Sequence, residues 1–163
     1  MSYPEPRYTG ESGEAAATFR PHDRQPDLSY GGRRIHFLAT GQSTGGEFGL
    51  YRWDFGPDES GPGPHFHKTI SESFFILSGT VRLHDGTGWR EGRAGDFLYV
   101  PPGGIHGFRN VPGEPASMLL LFTPGAPREE YFEMLAELAQ GKEMSESERA
   151  DFINRHDNYE IPG

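Results

Sequence analysis

Apolar residues recur along this chain with two different periods, and the change from one to the other divides it. From Arg34 to about residue 123 they form short runs or alternate with polar residues. The segments "RIHFLAT", "FGLYRWDF", "ESFFILSG", "TVRLHDG", "DFLYV", "IHGFRN" and "ASMLLLFT" are separated by stretches rich in Gly, Pro, Asp and Ser. Alternation predicts strands, because successive strand side chains point to opposite faces. In the second segment it puts Phe48, Leu50 and Arg52 on one face and Tyr51, Trp53 and Phe55 on the other. Asp85-Gly86 is a favoured hairpin dipeptide. Strands separated by turns, with no helix between them, predict an all-β antiparallel sandwich or barrel.

Beyond the last strand the period lengthens. In "REEYFEMLAELAQG" the residues Tyr131, Phe132, Leu135, Leu138 and Ala139 fall on one face of a helix that Gly141 can end. Ser145 and Glu148 form an S-x-x-E capping signature for a second, shorter helix running to about Arg155. The opening stretch is polar, punctuated by proline and weakly periodic, so it reads as an arm. The chain therefore divides into an arm over 1–33, a β-barrel over 34–125 and a C-terminal helical extension over 126–163.

Composition narrows the function classes. Fifteen basic and twenty-four acidic residues give a net charge of −9, which opposes attraction to nucleic acid or anionic lipid. Without cysteine, a metal site must use His, Asp or Glu, and disulfides and thiolate nucleophiles are excluded. The N-terminal residues lack a basic start and an apolar run, and no stretch has membrane-spanning length. A cytoplasmic protein is the expectation.

The chemistry concentrates in "GPGPHFHKTISESFFILSG" and "PPGGIHGFRN". On a strand, His65 and His67 share a face while Phe66 points away. The bend Lys68–Ser71 then returns the chain, so that Glu72 can face the same interior, and His106 follows a Pro-Gly turn on another strand. Three imidazoles and a carboxylate suit divalent Fe, Ni, Mn, Cu, Co or Zn without choosing among them. Each residue alone has an ordinary reading as a surface or core histidine or a solvated acid; the joint arrangement points to a metal. Phe74 and Ile76 alternate with Glu72, and Phe108 alternates with His106. These three are expected to face the interior, as core filling or as walls of a substrate pocket. Phe97 and Tyr99 form another same-face pair whose direction stays open. Gly41-Gln42-Ser43-Thr44-Gly45 matches the nucleophile-elbow pattern of serine hydrolases, but an elbow needs a helix after the serine and a strand pattern follows here.

These residues resemble the two signature motifs of the cupin superfamily. The first motif places His-x-His, then a glutamate, then a glycine, and His65, His67, Glu72 and Gly79 match it; its leading glycine is replaced by Glu59. The second motif is matched in full by Gly95, Pro101, Gly103, His106 and Asn110. The resemblance covers about residues 34–123. It implies an antiparallel jelly-roll barrel with a metal held by His65, His67, Glu72 and His106. Glu72 would be a permanent ligand or a looser, catalytic carboxylate that takes a proton from a substrate hydroxyl. The glycines and Asn110 read as turn and strand-end structure. Among functions, the resemblance implies first a metal-dependent, quercetin dioxygenase-like enzyme acting on a small aromatic or enol-type molecule. An isomerase or polyketide-type cyclase, and a non-catalytic metal- or ligand-binding module, are the alternatives. It also implies a homodimer in which the arm can exchange with the partner barrel.

Overall fold

The computed structural model describes residues 1–162. Eleven strands and two helices follow in order: β1 (Leu28–Tyr30), β2 (Arg33–Ala39), β3 (Gly49–Asp54), β4 (His65–Phe66), β5 (Ser71–Ser78), β6 (Thr80–His84), β7 (Trp89–Arg93), β8 (Phe97–Val100), β9 (Gly107–Asn110), β10 (Ser117–Thr123), α1 (Arg128–Ala139), α2 (Glu146–Arg155) and β11 (Tyr159–Glu160). One sheet has the order β1-β2-β3-β10-β5-β8, and all its pairings are antiparallel. The other wall is built from β7-β6-β9 and from β11-β4, joined by an antiparallel bridge between His65 and His106. This is the jelly-roll barrel that the resemblance implies, with the two C-terminal helices that the residue pattern predicts.

The alternation read in β3 sets the core. Tyr51, Trp53 and Phe55 are buried, whereas Arg52 is exposed. The Tyr51 ring makes edge contacts with Phe37, Phe122 and Phe132, at centroid distances of 5.6, 5.8 and 5.1 Å. Its hydroxyl donates to Glu129 Oε1 at 2.6 Å, so one side chain ties both sheet neighbours to α1. Burial, followed by the hydrogen bond and charge of Glu129, pushes this hydroxyl well above its ordinary range. Phe97 and Tyr99 resolve to the outside of edge strand β8, 62% and 58% exposed, next to the exposed Phe75 and Leu77 of β5.

Two additions come from outside the predicted strands. Leu28–Tyr30, within the stretch read as an arm, pairs with β2 at the sheet edge, and Tyr159–Glu160, within the helical extension, pairs with β4. Both are too short to show a period. Helix α2 carries the capping box in full: Ser145 accepts from the Glu148 backbone N–H, and the Glu148 carboxylate accepts from that of Ser145. Gly141, at φ +100°, follows the C-terminal cap of α1, a conformation that favours glycine. The Gly41–Gly45 stretch is a turn in which Ser43 Oγ accepts from the Thr40 N–H, and β3 follows it, so the nucleophile-elbow geometry is absent. No helix among the described residues is long and apolar enough to cross a membrane.

Removing only the Tyr51 hydroxyl (Tyr51→Phe) is expected to cost about 1 kcal/mol of stability, whereas Tyr51→Ala, which also removes the ring, should cost roughly 3–5 kcal/mol. Denaturant unfolding of the two variants checks this.

Candidate metal centre

Two walls of the barrel supply the four residues. His65 and His106 exchange both backbone hydrogen bonds, 2.8 Å for His65 N–H to His106 O and 2.9 Å for the reverse. Directly opposed residues of an antiparallel pair share a face, so both rings enter the interior together. His67 lies just past β4, where its carbonyl accepts from the Gly103 N–H at 2.7 Å. Glu72 comes from the other sheet, opposite Val100 on one side and Phe122 on the other. All four side chains are buried, between 0% and 4% exposed, and their ligating atoms lie within 4.8 Å of one another.

The imidazoles are oriented by a shared device. His65 Nδ1 faces the Gly63 carbonyl at 2.9 Å, His67 Nδ1 that of Asp157 at 2.6 Å, and His106 Nδ1 that of Gly104 at 3.0 Å. A ring nitrogen against a carbonyl must donate, which makes Nε2 the atom available to a metal. The Nε2 atoms of His67 and His106 lie 3.0 and 2.7 Å from one oxygen, Glu72 Oε2. At metal–ligand lengths of about 2.1 Å, cis ligands stand roughly 3 Å apart and trans ligands about 4.2 Å, so the donor set fits a transition metal ion by chemistry and spacing.

The electrostatics agree. Burial would push the Glu72 carboxyl up, but the closely placed His106 and His67 imidazoles outweigh it and hold the group well below the carboxylate range. Burial, then the charge of His106, lowers His65 to about 4, which keeps it neutral with a free lone pair at neutral pH. Burial also pushes His106 down, yet its hydrogen bond and charge pairing with Glu72 leave it above the ordinary value of 6.5. Without a metal, a proton between His106 and Glu72 balances the charge; an ion entering the site takes its place.

A cavity of about 530 Å³ begins at His65 and Glu72 and extends between the barrel and the two helices. Its barrel side includes Trp53, Phe108 and Phe122, and its helix side includes Tyr131, Leu135 and Ile153. Of the three residues read as pocket candidates, Phe108 lines this cavity, and Phe74 and Ile76 do not. The latter two are fully buried core: the cavity runs toward the tail helices, while Phe74 packs against the rings of His106 and Phe108 at 5.9 and 5.7 Å. Asn110 has the structural part expected of it. Its side chain accepts from Ser60 N–H at 2.8 Å and donates to the Gly56 and Asp58 carbonyls, pinning the loop that leads to His65. Glycine is needed in that loop at Gly61, with φ +130°, where a Cβ would sit 2.0 Å from the Phe108 carbonyl oxygen. This close approach sits two residues from Glu59, the position where the motif departs.

The tail contributes residues that sequence reasoning missed. Asp157, at φ +57° just past α2, offers its carbonyl to His67 while its carboxylate accepts from the backbone N–H groups of Lys68 and Thr69, each at 2.9 Å, and from the Thr69 hydroxyl at 2.7 Å. Arg128, only 4% exposed, donates to the His156 carbonyl at 2.6 Å. The one sequence signal was the density of hydrogen-bonding residues in "NRHDN", where Asp and Asn tolerate left-handed backbone.

With this geometry in hand, comparison with protein families gives a match between the model described as "Cupin domain" and residues 51–122. The barrel of this chain has the cupin fold. The match spans β3 to β10 and contains all four cluster residues. Solved structures with a similar fold include KdgF from a Halomonas species (TM-score 0.59, 16% identity, 71% of this chain and 99% of that one). An RmlC-like cupin from Shewanella frigidimarina is similar too (TM-score 0.56, 19% identity, 71% and 96% covered). A double-stranded β-helix protein from Klebsiella pneumoniae gives TM-score 0.53 at 22% identity, with 68% and 92% covered. At these identities the likeness shows the cupin fold alone. The comparison with curated proteins gave no match.

Two outcomes follow for the cluster. Asp157→Ala should weaken zinc affinity about tenfold or more while the barrel stays folded, because it frees the bend that carries His67; competition against a chromophoric chelator checks this. Zinc affinity should fall as pH drops through the raised value of His106, since the ion must displace its proton, and calorimetry in buffers of different ionisation enthalpy should register that release near pH 6.

Proposed function

We propose that this protein is a metal-dependent enzyme acting on a small organic molecule, with dioxygenase-like chemistry on an aromatic or enol-type substrate. The observation that carries the reading is that the buried cluster opens onto a partly closed, more apolar than polar cavity of about 530 Å³. A metal serving the fold alone needs closed coordination; a reacting metal needs a water-poor space beside it. A divalent transition metal held by His65, His67, Glu72 and His106 supplies a Lewis-acidic centre with positions left for other oxygen ligands.

The remaining chemistry belongs to side chains on the cavity wall. Apolar walls, including Phe108, Phe122 and Leu135, exclude water and accept a flat hydrocarbon body. Tyr131 keeps its phenolic proton: burial raises it, against a smaller lowering by Arg128. Its oxygen accepts from Asn158 Nδ2 at 3.0 Å, leaving its O–H free to donate to a substrate oxygen. Glu72 acts in this reading as a permanently ionised ligand.

The test is oxygen uptake by the chain reconstituted separately with Fe, Mn, Ni, Co, Cu and Zn, against flavonols and other enols. Uptake above that of the free metal, lost in His106→Ala together with the bound ion, is the expected result. Turnover under nitrogen would move the assignment to the isomerase or cyclase class, and metal binding without turnover of any kind would leave a binding module.

A further inference from the structure

Four buried side-chain polar atoms lack a hydrogen-bond partner among the described residues: Arg33 Nε, Trp53 Nε1, Arg128 Nε and Asn158 Oδ1. All four belong to residues that line the cavity next to the cluster. Buried polar groups are almost always paired, and each exception calls for an absent partner. Three of the four are N–H donors, so the missing partner is chiefly an acceptor.

Charge points the same way. Although the chain carries a net −9, the cavity is lined by three arginines, Arg33, Arg128 and Arg149, against two carboxylates, Glu72 and Glu160. Arg128 is the most deeply placed of the three at 4% exposure, and no carboxylate among the described residues lies within 4.0 Å of it. Burial lowers its affinity for its proton, and Glu72 and Asp157 oppose that only from beyond contact distance; a buried cation without a contacting counter-ion is costly. It also stands in the first turn of α1, the end of a helix that favours negative charge. A divalent ion in the cluster would make the cavity more positive still.

The side chain is held for a purpose other than pairing. Its guanidinium lies over the rings of Tyr131, Phe122 and Phe132 at 4.4, 5.1 and 5.8 Å, and Nη1 is fixed on the His156 carbonyl. Trp53 packs on the same Phe132 ring at 5.5 Å. Two unpaired N–H donors thus belong to residues that line the same cavity.

We propose that Arg128 is the anchor for the carboxylate of an amphipathic organic acid whose apolar body fills the cavity and whose other end reaches the metal cluster. This specifies the substrate class of the proposed enzyme and rests on reading the cavity as its substrate site. Arg128 is then a specificity residue contributed by the tail, outside the matched cupin domain. Carboxylate recognition by a buried guanidinium is a charge-assisted bond, stronger than the neutral equivalent.

Calorimetric titration of the full chain, metal-free and zinc-loaded, with 2-naphthoate and its neutral isostere 2-naphthamide tests the proposal. The carboxylate should bind one per chain about tenfold or more tightly than the amide, with or without zinc. Arg128→Met should erase that preference. Equal affinities in the unaltered chain, binding of neither probe, a preference seen only with zinc, or a preference that survives Arg128→Met would each overturn it. Should Arg128→Met fail to fold, Arg128→Gln, which keeps an amide N–H donor for the His156 carbonyl, takes its place and should likewise erase the preference. The two readings fail separately: a chain that takes no metal yet prefers the carboxylate keeps the anchor and loses the enzyme, and turnover without any carboxylate preference does the reverse.

Discussion

Three hydrogen bonds from imidazole Nδ1 to backbone carbonyls, at Gly63, Asp157 and Gly104, are the constraint on which the rest of this structure turns. They fix which nitrogen of each ring is free and where it points, and they make the ligand geometry a property of the backbone. A backbone carbonyl can hold a ring only if its own segment is held, and here the three segments are secured differently. Gly63 lies in a loop pinned by Asn110. Gly104 sits in the turn whose Gly103 N–H is tied to His67. Asp157 reaches back from the end of the chain onto the Lys68–Thr69 bend. The sheet register then brings Glu72 to the imidazoles from the opposite wall.

The tail is therefore part of the site in two senses. Through Asp157 it orients a ligand, and through Tyr131, Arg128, Asn158 and the apolar side of α1 and α2 it walls the cavity beyond the ligands. A barrel alone would offer an open mouth. Helices packed beside it deepen that mouth into a cavity where a buried polar group is either paired or aimed at a ligand. Strand β11, on β4 beside His65, anchors the end of the tail, and Phe66 and Tyr159 stack across this pairing at 5.2 Å.

How far the sequence could be read follows from which features are periodic. The barrel strands were legible because burial of one face forces a period of two, as Tyr51, Trp53 and Phe55 show. The cluster was legible because His65, His67 and Glu72 are close in sequence and His106 follows its own turn signature. The tail helices were legible from the Tyr131–Ala139 stripe and the Ser145–Glu148 box. By contrast, β1 and β11 are three and two residues long and have no period to detect. Phe74 and Ile76 share the strand face of Glu72, and alternation gives the face of a side chain without telling core from cavity. Asp157 acts mainly through a carbonyl and a left-handed backbone, neither of which a side-chain pattern reveals.

The central claim is that the geometry of His65, His67, Glu72 and His106 exists to hold one transition metal ion. Plasma mass spectrometry on protein purified without added metal or a metal-affinity column measures this directly, before and after equilibration with divalent iron, manganese, nickel, cobalt, copper or zinc. The account predicts close to one ion per chain, native or taken up on equilibration. Protein that stays metal-free throughout, while folded, would contradict it.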